Sequence, residues 1–433
     1  MQRFRSYELS DHVGETVRLA GWVHRRRMLK DIAFLILRDA SGLAQIVVDP
    51  SRRASIDAAP EETPISVTGR VVENPMAPGG VEMVEPEIVA LSDPAAPPPF
   101  DLYRPRVGAG LPTVLDHAPV ALRHPRLAAV HRIGAAAVAG FRAALDARLF
   151  VEIFTPKIVG TATESGANVF RLDYFGRPAY LAQSPQFYKQ MMVGVFERVY
   201  EVGRVFRAEP SDTGRHLAEY TSLDAEMGFV ADHHEVMAAC RDAVAGMLDA
   251  VWDRASRQCE LLGIERPALP ADVPVVHFTD VLSMISAQTG HDVHRATDLS
   301  PADERFIGDW ARREHGSDFV FVDGYPTAHR AFYTHPDPDR SGYSRGFDLI
   351  FRGLELVSGA QRLHRYDDYV AVLAERGETD LTAYEGYLDV MRHGMPPHGG
   401  FAFGLERFLA RLTGAGNVRE VALFPRDMHR VAP

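Results

Sequence analysis

Cysteine is scarce in this chain. Only Cys240 and Cys259 occur in 433 residues, and neither sits in a CxxC pattern. That argues against a disulfide framework or a cysteine zinc site and points to a reducing compartment, the cytoplasm. No apolar run is long enough to span a bilayer. The opening MQRFRSYELS has no hydrophobic signal stretch, so a cytoplasmic protein with no membrane partner is expected. Positive charge is short as well: 47 Lys and Arg stand against 58 Asp and Glu, a formal net charge of -11. An acidic balance argues against broad, non-specific nucleic-acid binding, so any such contact needs a local basic surface. No GxGxxG opens a strand–helix unit, which counts against a Rossmann fold. There is no internal repeat or low-complexity tail. Hydrophobic content is ordinary at 46%, and the length implies two or three domains with substantial cores.

The most informative stretch is Glu201 to Met227, EVGRVFRAEPSDTGRHLAEYTSLDAEM. It reads as a β-hairpin with Arg207 and Glu209 on the outgoing arm. A polar loop from Pro210 to Gly214 follows, and Arg215, His216, Glu219, Tyr220, Asp224 and Glu226 come on the return. Most charge runs are solvated surface. Here Arg stands on both arms with carboxylates beside it, which suits recognition of phosphate or carboxylate oxygens.

Three other segments matter. Arg126 to Leu149 has apolar residues at mostly helical spacing, and VEIFTP follows it, ending at Pro156. RGLELVSGAQRLHR supplies Glu355, Ser358 and Arg362 on a strand. HGGFAFGLERFLARL is a glycine-bearing strand (Gly399, Gly400, Gly404) that runs into an amphipathic helix carrying Arg407. Glycines there let backbone approach a ligand closely.

The N-terminal region has a different character. VRLAGWVHRR, IAFLILRD, LAQIVVD, PISVTGRVVE and VEMVEPEIVALS read as five short strands, with a turn at Asp39 to Gly42. Five strands in about a hundred residues suggest an OB barrel, a fold often used for single-stranded nucleic acid. His24, Arg25, Arg26, Arg27 and Lys30 form a basic cluster with Phe34 on the next strand, a pairing that can track phosphates and stack a base. The proline-rich SDPAAPPPFDLYRPR then reads as an extended hinge. Further on, Ser300, Pro301 and Asp303 form a helix start. HHEV at 233–236 has metal-like composition and is read as a solvated helix start.

In this order the segments closely resemble motifs 1, 2 and 3 of the class IIb aminoacyl-tRNA synthetases, aspartyl branch, over essentially the whole chain. The interval between motifs 2 and 3 is too short for the large extra domain of the bacterial type, so the chain looks like the compact archaeal type. The resemblance implies an α+β protein. Residues 1–95 would form an OB-fold anticodon-binding domain and residues 96–115 a linker. Residues 116–433 would form a catalytic antiparallel sheet flanked by helices, with a small insertion at about 267–317. It implies ATP and L-aspartate as substrates, Mg²⁺ as cofactor, and a homodimer with Pro156 near its interface.

The resemblance also implies residue roles. Arg207 would lie between the amino-acid carboxylate and the α-phosphate. Arg215 and His216 would grip the β/γ region, and Arg407 the γ-phosphate. Tyr220 would lie under the adenine, with Glu209, Leu217 and Gly404 completing the ATP site. Glu355 and Ser358 would hold Mg²⁺, hard oxygen donors being what that ion prefers. Glu164 would take the substrate ammonium, with Gln186 and Ser358 beside the amino acid. Lys189 and Arg362 would hold the side-chain carboxylate. A cationic pocket around asparagine instead would leave buried cations short of a partner, at roughly 3–5 kcal/mol. The asparaginyl enzymes resemble this chain but lack the Lys of QSPQFYK, so Lys189 is the main reason to expect aspartate. Arg27, Phe34, Gln45 and Glu82 match anticodon-contacting positions. His24 and Pro78 are candidates for relaxed reading of the third anticodon base. A relaxed enzyme is expected over the alternatives of one that charges tRNA(Asp) alone or an asparaginyl enzyme, so the expected partners are tRNA(Asp) and tRNA(Asn), with a tRNA-dependent amidotransferase acting on the latter's product.

Overall fold

The computed structural model describes the whole chain except residues 1, 31, 50–52, 162–167, 209, 211 and 212. It divides into two compact units, Met1–His124 and Pro125–Pro433.

The first unit is built on a closed five-stranded barrel. Its strands are β1 (Thr16–Met28), β2 (Ala33–Arg38), β3 (Leu43–Val48), β4 (Pro64–Glu73) and β5 (Val81–Ala90), in the order β1-β2-β3-β5-β4. Period-two alternation builds the core: Ala44, Ile46 and Val48 point inward from β3, and Leu35 and Leu37 from β2. The alternation breaks at His24. A bulge shifts the β1–β2 register between Val23 and Arg25, and both Val23 and His24 are buried. An extra residue in one strand re-aims the side chains around it. The proline-rich stretch belongs to this unit. Leu102 is fully buried, the Ala95 amide donates to Thr63 Oγ1 at 3.0 Å, and the short helices Leu111–Asp116 and Ala118–Ala121 lie before the boundary.

The second unit contains the remaining strands. They are β6 (Val151–Glu152), β7 (Ile158–Val159), β8 (Arg171–Tyr174), β9 (Arg177–Leu181), β10 (Arg198–Phe206), β11 (Glu219–Gly228), β12 (Val275–His277), β13 (Phe319–Asp323), β14 (Gly346–Phe351), β15 (Glu355–Gln361) and β16 (His398–Gly404). Strands β7, β9 and β8 make a small sheet. The large one has eight strands in the order β12-β13-β14-β15-β16-β11-β10-β6. It is antiparallel through the middle and parallel only at its edge pairs, β12–β13 and β10–β6.

One face of the large sheet packs on two long helices, Pro125–Asp146 and His233–Arg254. These cross closely because Gly140 and Gly246 lack side chains: a Cβ on Gly140 would lie 2.2 Å from the Gly246 carbonyl oxygen. Leu223, Ala225, Phe401, Phe403 and Val357 face this core. The alternate residues of the same strands therefore face the other side, where the site lies. The helix Pro301–His315 begins with a reciprocal cap, Ser300 Oγ accepting from the Asp303 amide and Asp303 Oδ2 from the Ser300 amide.

Candidate active site

Strand register assembles the site. On β11 the even-numbered residues Tyr220, Ser222, Asp224 and Glu226 share the face opposite the core, as period-two geometry requires. Register then sets Asp348, Ser358, Ala402 and Asp224 side by side across β14, β15, β16 and β11. Gly346, Ala360, Gly400 and Glu226 form the next row. Above these rows is a cavity of about 620 Å³ lined by Arg207, Arg215, Arg362 and Arg407, together with Glu355, Ser358 and Tyr220.

At one end, buried charges form a closed set. Lys189, from the helix Gln186–Phe196, places Nζ 3.0 Å from Asp224 Oδ1 and 3.4 Å from Glu226 Oε2. Arg362 donates from Nε to Glu226 Oε1 at 2.9 Å and from Nη2 to the Gly400 carbonyl at 3.0 Å. Burial alone would raise the Glu226 carboxyl, but Arg362 and Lys189 more than reverse this and hold it below its usual range. Gly400 makes the arrangement possible, because a Cβ there would lie 2.0 Å from Glu226 Oε2. Its glycine thus admits a carboxylate. The sequence-based expectation of two cations awaiting a substrate needs correction here: Asp224 and Glu226 already balance Lys189 and Arg362. Arg362 reaches the cavity wall, whereas Lys189 is buried and does not line it. Gln186 does line it, and its Nε2 is buried without a partner among the described residues.

The other end holds carboxylates beside arginines. Glu406 accepts from the Thr221 amide at 3.1 Å, which pins the helix Leu405–Thr413 to β11. Arg407, in the first turn of that helix, comes within 3.7 Å of Glu355 Oε1. The Glu355 carboxyl faces the cavity, yet desolvation, and after it the neighbouring Asp348, push it up to about 7. Arg330 makes a paired contact with Asp348 at 2.8 and 3.3 Å and touches Ser358 Oγ at 3.3 Å. Two carboxylates and a hydroxyl of this kind are hard oxygen donors. A carboxyl raised first by desolvation and then by an acidic neighbour gains from a divalent cation, so the residues present fit Mg²⁺. Asp232, His233 and His234 also offer ligand atoms within 4.8 Å of one another. Asp232 caps its helix by accepting from the His234 amide at 2.8 Å, and His233 Nε2 lies 3.2 Å from Asp323.

Of the expected site residues, Gln186, Arg207, Arg215, His216, Leu217, Tyr220, Glu355, Ser358, Arg362, Gly404 and Arg407 line this cavity. Glu164 and Glu209 lie outside the described residues. Sequence reasoning named Asp224 and Glu226 without giving them a part in the pocket. Their i, i+2 spacing in LDAEM was the available signal. It missed Asp348, seven residues before Glu355, and Arg330, whose loop carries no signal.

On the barrel, Arg27 pairs with Phe34 across β1 and β2, and Phe34 pairs with Val47 on β3. Arg27 is exposed and Phe34 half-buried. Gln45 Nε2 and Asn74 Nδ2 both donate to Glu82 Oε2 at 2.8 Å. Pro78 is exposed. His24 is not a surface group. It lies 3.2 Å from Arg38, which pairs with buried Glu62, and its ring meets Tyr103 edge-on. Burial first, then Arg38, lower its pKa to about 4, so the ring is neutral.

Comparison with known proteins matches residues 112–428 to the class II tRNA synthetases (D, K and N) and residues 17–91 to the OB-fold nucleic acid binding domain. The chain is 45% identical to the aspartate–tRNA(Asp/Asn) ligase of Thermus thermophilus, covering 98% of this chain and 99% of that one. It is 42% identical to the Deinococcus radiodurans protein of the same name, covering 100% and 99%. Among solved structures, the asparaginyl-tRNA synthetase of Pyrococcus horikoshii complexed with asparaginyl-adenylate superposes with a TM-score of 0.92 at 29% identity, covering all of both chains. The aspartyl-tRNA synthetase of Entamoeba histolytica superposes with a TM-score of 0.87 at 29% identity, covering 100% of this chain and 93% of that one. The chain belongs to the class II tRNA synthetases of the D, K and N group.

Proposed function

We propose that this protein is an aspartate–tRNA ligase that activates L-aspartate with ATP and passes it to the 3′ end of tRNA(Asp) and tRNA(Asn). The carrying observation is one cavity lined by arginines, with Arg362 backed by the balanced Lys–Asp–Glu set at one end and Glu355 backed by Asp348 at the other. Two anions must meet there, so positioning and charge neutralisation dominate.

Arg362, held square by Glu226, presents a planar donor group to the aspartate side chain, with Lys189 beneath supporting the negative end. Gln186 offers an amide donor beside the amino acid. Arg207 lies between the α-carboxylate and the α-phosphate. A carboxylate oxygen attacks the α-phosphorus, the bond to the bridging oxygen breaks, and pyrophosphate leaves with the electron pair. Arg207 neutralises charge on the equatorial oxygens, while Arg215, His216 and Arg407 hold the departing phosphates. Glu355, Ser358 and Asp348 are the residues that would hold Mg²⁺, which when bound draws charge off the phosphate oxygens. In the second step the terminal ribose hydroxyl attacks the activated carbonyl, the acyl–oxygen bond to the phosphate breaks, and AMP leaves with the hydroxyl's proton on its phosphate.

Arg27, Phe34, Gln45 and Glu82 are proposed to meet the anticodon, with Phe34 as the stacking surface. The burial of His24 removes it from direct base contact, so Pro78 and its exposed loop carry the proposed relaxation. The names of the relatives in Thermus and Deinococcus support the dual tRNA reading. A second copy of the chain is proposed to cover the exposed Leu149, Val151 and Phe154 before Pro156. Among the described residues no helix is long and apolar enough to cross a membrane, and we place the enzyme in the cytoplasm. An amidotransferase would consume the aspartyl-tRNA(Asn). The test is charging of purified tRNA(Asp) and tRNA(Asn) transcripts. Comparable efficiencies are expected. A gap of several orders against tRNA(Asn) refutes the dual reading, and failure to charge either refutes the function.

A further inference from the structure

We infer that Glu304 is a positioning residue for Arg215, so that the helix Pro301–His315 completes the nucleotide site from outside the three sequence motifs. The inference rests on the proposal that the cavity takes ATP. Glu304 stands in the first turn of that helix and is only 6% exposed. A carboxylate there is favoured by the helix's positive end. Its two oxygens lie 3.4 and 3.3 Å from Arg215 Nη1, and Oε2 also accepts from the Glu355 amide at 3.0 Å.

The geometry is selective. Glu304 engages Arg215 through Nη1, while Nε and Nη2 bond to no group among the described residues. The side chain lines the cavity and remains 32% exposed. Arg215 is therefore held by one corner in the cavity wall and is not sequestered. A long side chain on a loop loses considerable rotamer freedom when it grips a ligand. A fixed counter-ion meets part of that loss beforehand. Glu304 also fixes the backbone of Glu355, so a single carboxylate joins the residue facing the phosphate tail to one facing the divalent ion. The stretch 267–317 has no assigned part in the chemistry, and this contact supplies one.

The test is steady-state ATP–pyrophosphate exchange with each substrate varied in turn. Glu304→Gln keeps the shape and the acceptor for the Glu355 amide but loses the charge facing Arg215. KM for ATP should rise roughly ten- to hundredfold, the range for losing a charged hydrogen bond. KM for aspartate and the thermal midpoint should hold. Arg215→Ala should raise KM for ATP, and adding Glu304→Gln to it should cost nothing more. If Glu304→Gln fails to fold, Glu304→Asp, which withdraws the charge by one methylene, should give a smaller rise confined to ATP. An unchanged KM for ATP, a parallel rise for both substrates, or additive losses in the double variant overturns the inference. A wild-type chain without aspartate-dependent exchange refutes the proposed function instead.

Discussion

Replacing Lys189 with leucine tests the amino-acid end of the cavity most directly. In the wild-type protein two cations, Lys189 and Arg362, face two carboxylates, Asp224 and Glu226, all essentially buried. Lys189→Leu would leave Arg362 alone against both carboxylates, one negative charge in excess beneath the pocket floor. Breaking a buried pair by removing one partner costs about 3–5 kcal/mol. Part of that falls on folding. The rest falls on binding, because a dicarboxylate would then enter against a like charge. At about 1.4 kcal/mol per factor of ten, aspartate binding should weaken on the order of a hundredfold or more. ATP binding should stay near wild type, since the Arg207, Arg215 and Arg407 end is untouched. The assay is aspartate-dependent ATP–pyrophosphate exchange, with ATP affinity measured separately by calorimetry and folding checked by thermal unfolding. A folded Lys189→Leu protein with aspartate KM within a few-fold of wild type would refute the charge-balance argument. Equal losses for ATP and aspartate would show that the set is merely structural.

Three further outcomes are expected. Gly400→Ala should displace Glu226, because the new methyl would meet its carboxylate at 2.0 Å and the Ala225 carbonyl at 2.2 Å. An overpacking loss of about 1–3 kcal/mol in chemical denaturation is expected, together with loss of aspartate activation, and a wild-type KM would count against the Gly400 argument. Glu355, raised to about 7, must lose its proton to hold a cation. Apparent Mg²⁺ affinity should therefore fall by up to about tenfold per pH unit below that value, measured by Mg²⁺ titration of exchange activity. Flat affinity between pH 6 and 8, taking these as roughly one unit either side, would contradict it. For stability the signs differ. Glu355, raised above its ordinary value of 4.5, makes folding less favourable as pH rises from there through about 7. Glu226, depressed below 4.5, contributes stability that is present above that pH and is lost as pH falls through its lower folded value. Acid unfolding of Glu226→Gln compared with wild type should show that second loss removed.

Much of the architecture was legible because it depends on short-range rules. Period-two alternation located the five barrel strands, and the reciprocal cap at Ser300 and Asp303 located a helix start. The cavity arginines were legible as a family pattern, since phosphate chemistry restricts both residue type and order along the chain. His24 was not, because the bulge beside it reverses the facing that alternation implies. Nor was the pairing of Glu304 with Arg215, whose partners are 89 residues apart.

The sequence alone therefore determined the fold class and the residue types that line the cavity. Only the tertiary structure decided which charges are already spent on one another. Lys189 and Arg362 read as an open cationic pair along the chain. Strand register brings Asp224 and Glu226 under them, and Gly400 leaves the space. Charge compensation depends on distances of a few ångströms between side chains on different strands and helices, and no local pattern in the chain encodes those distances.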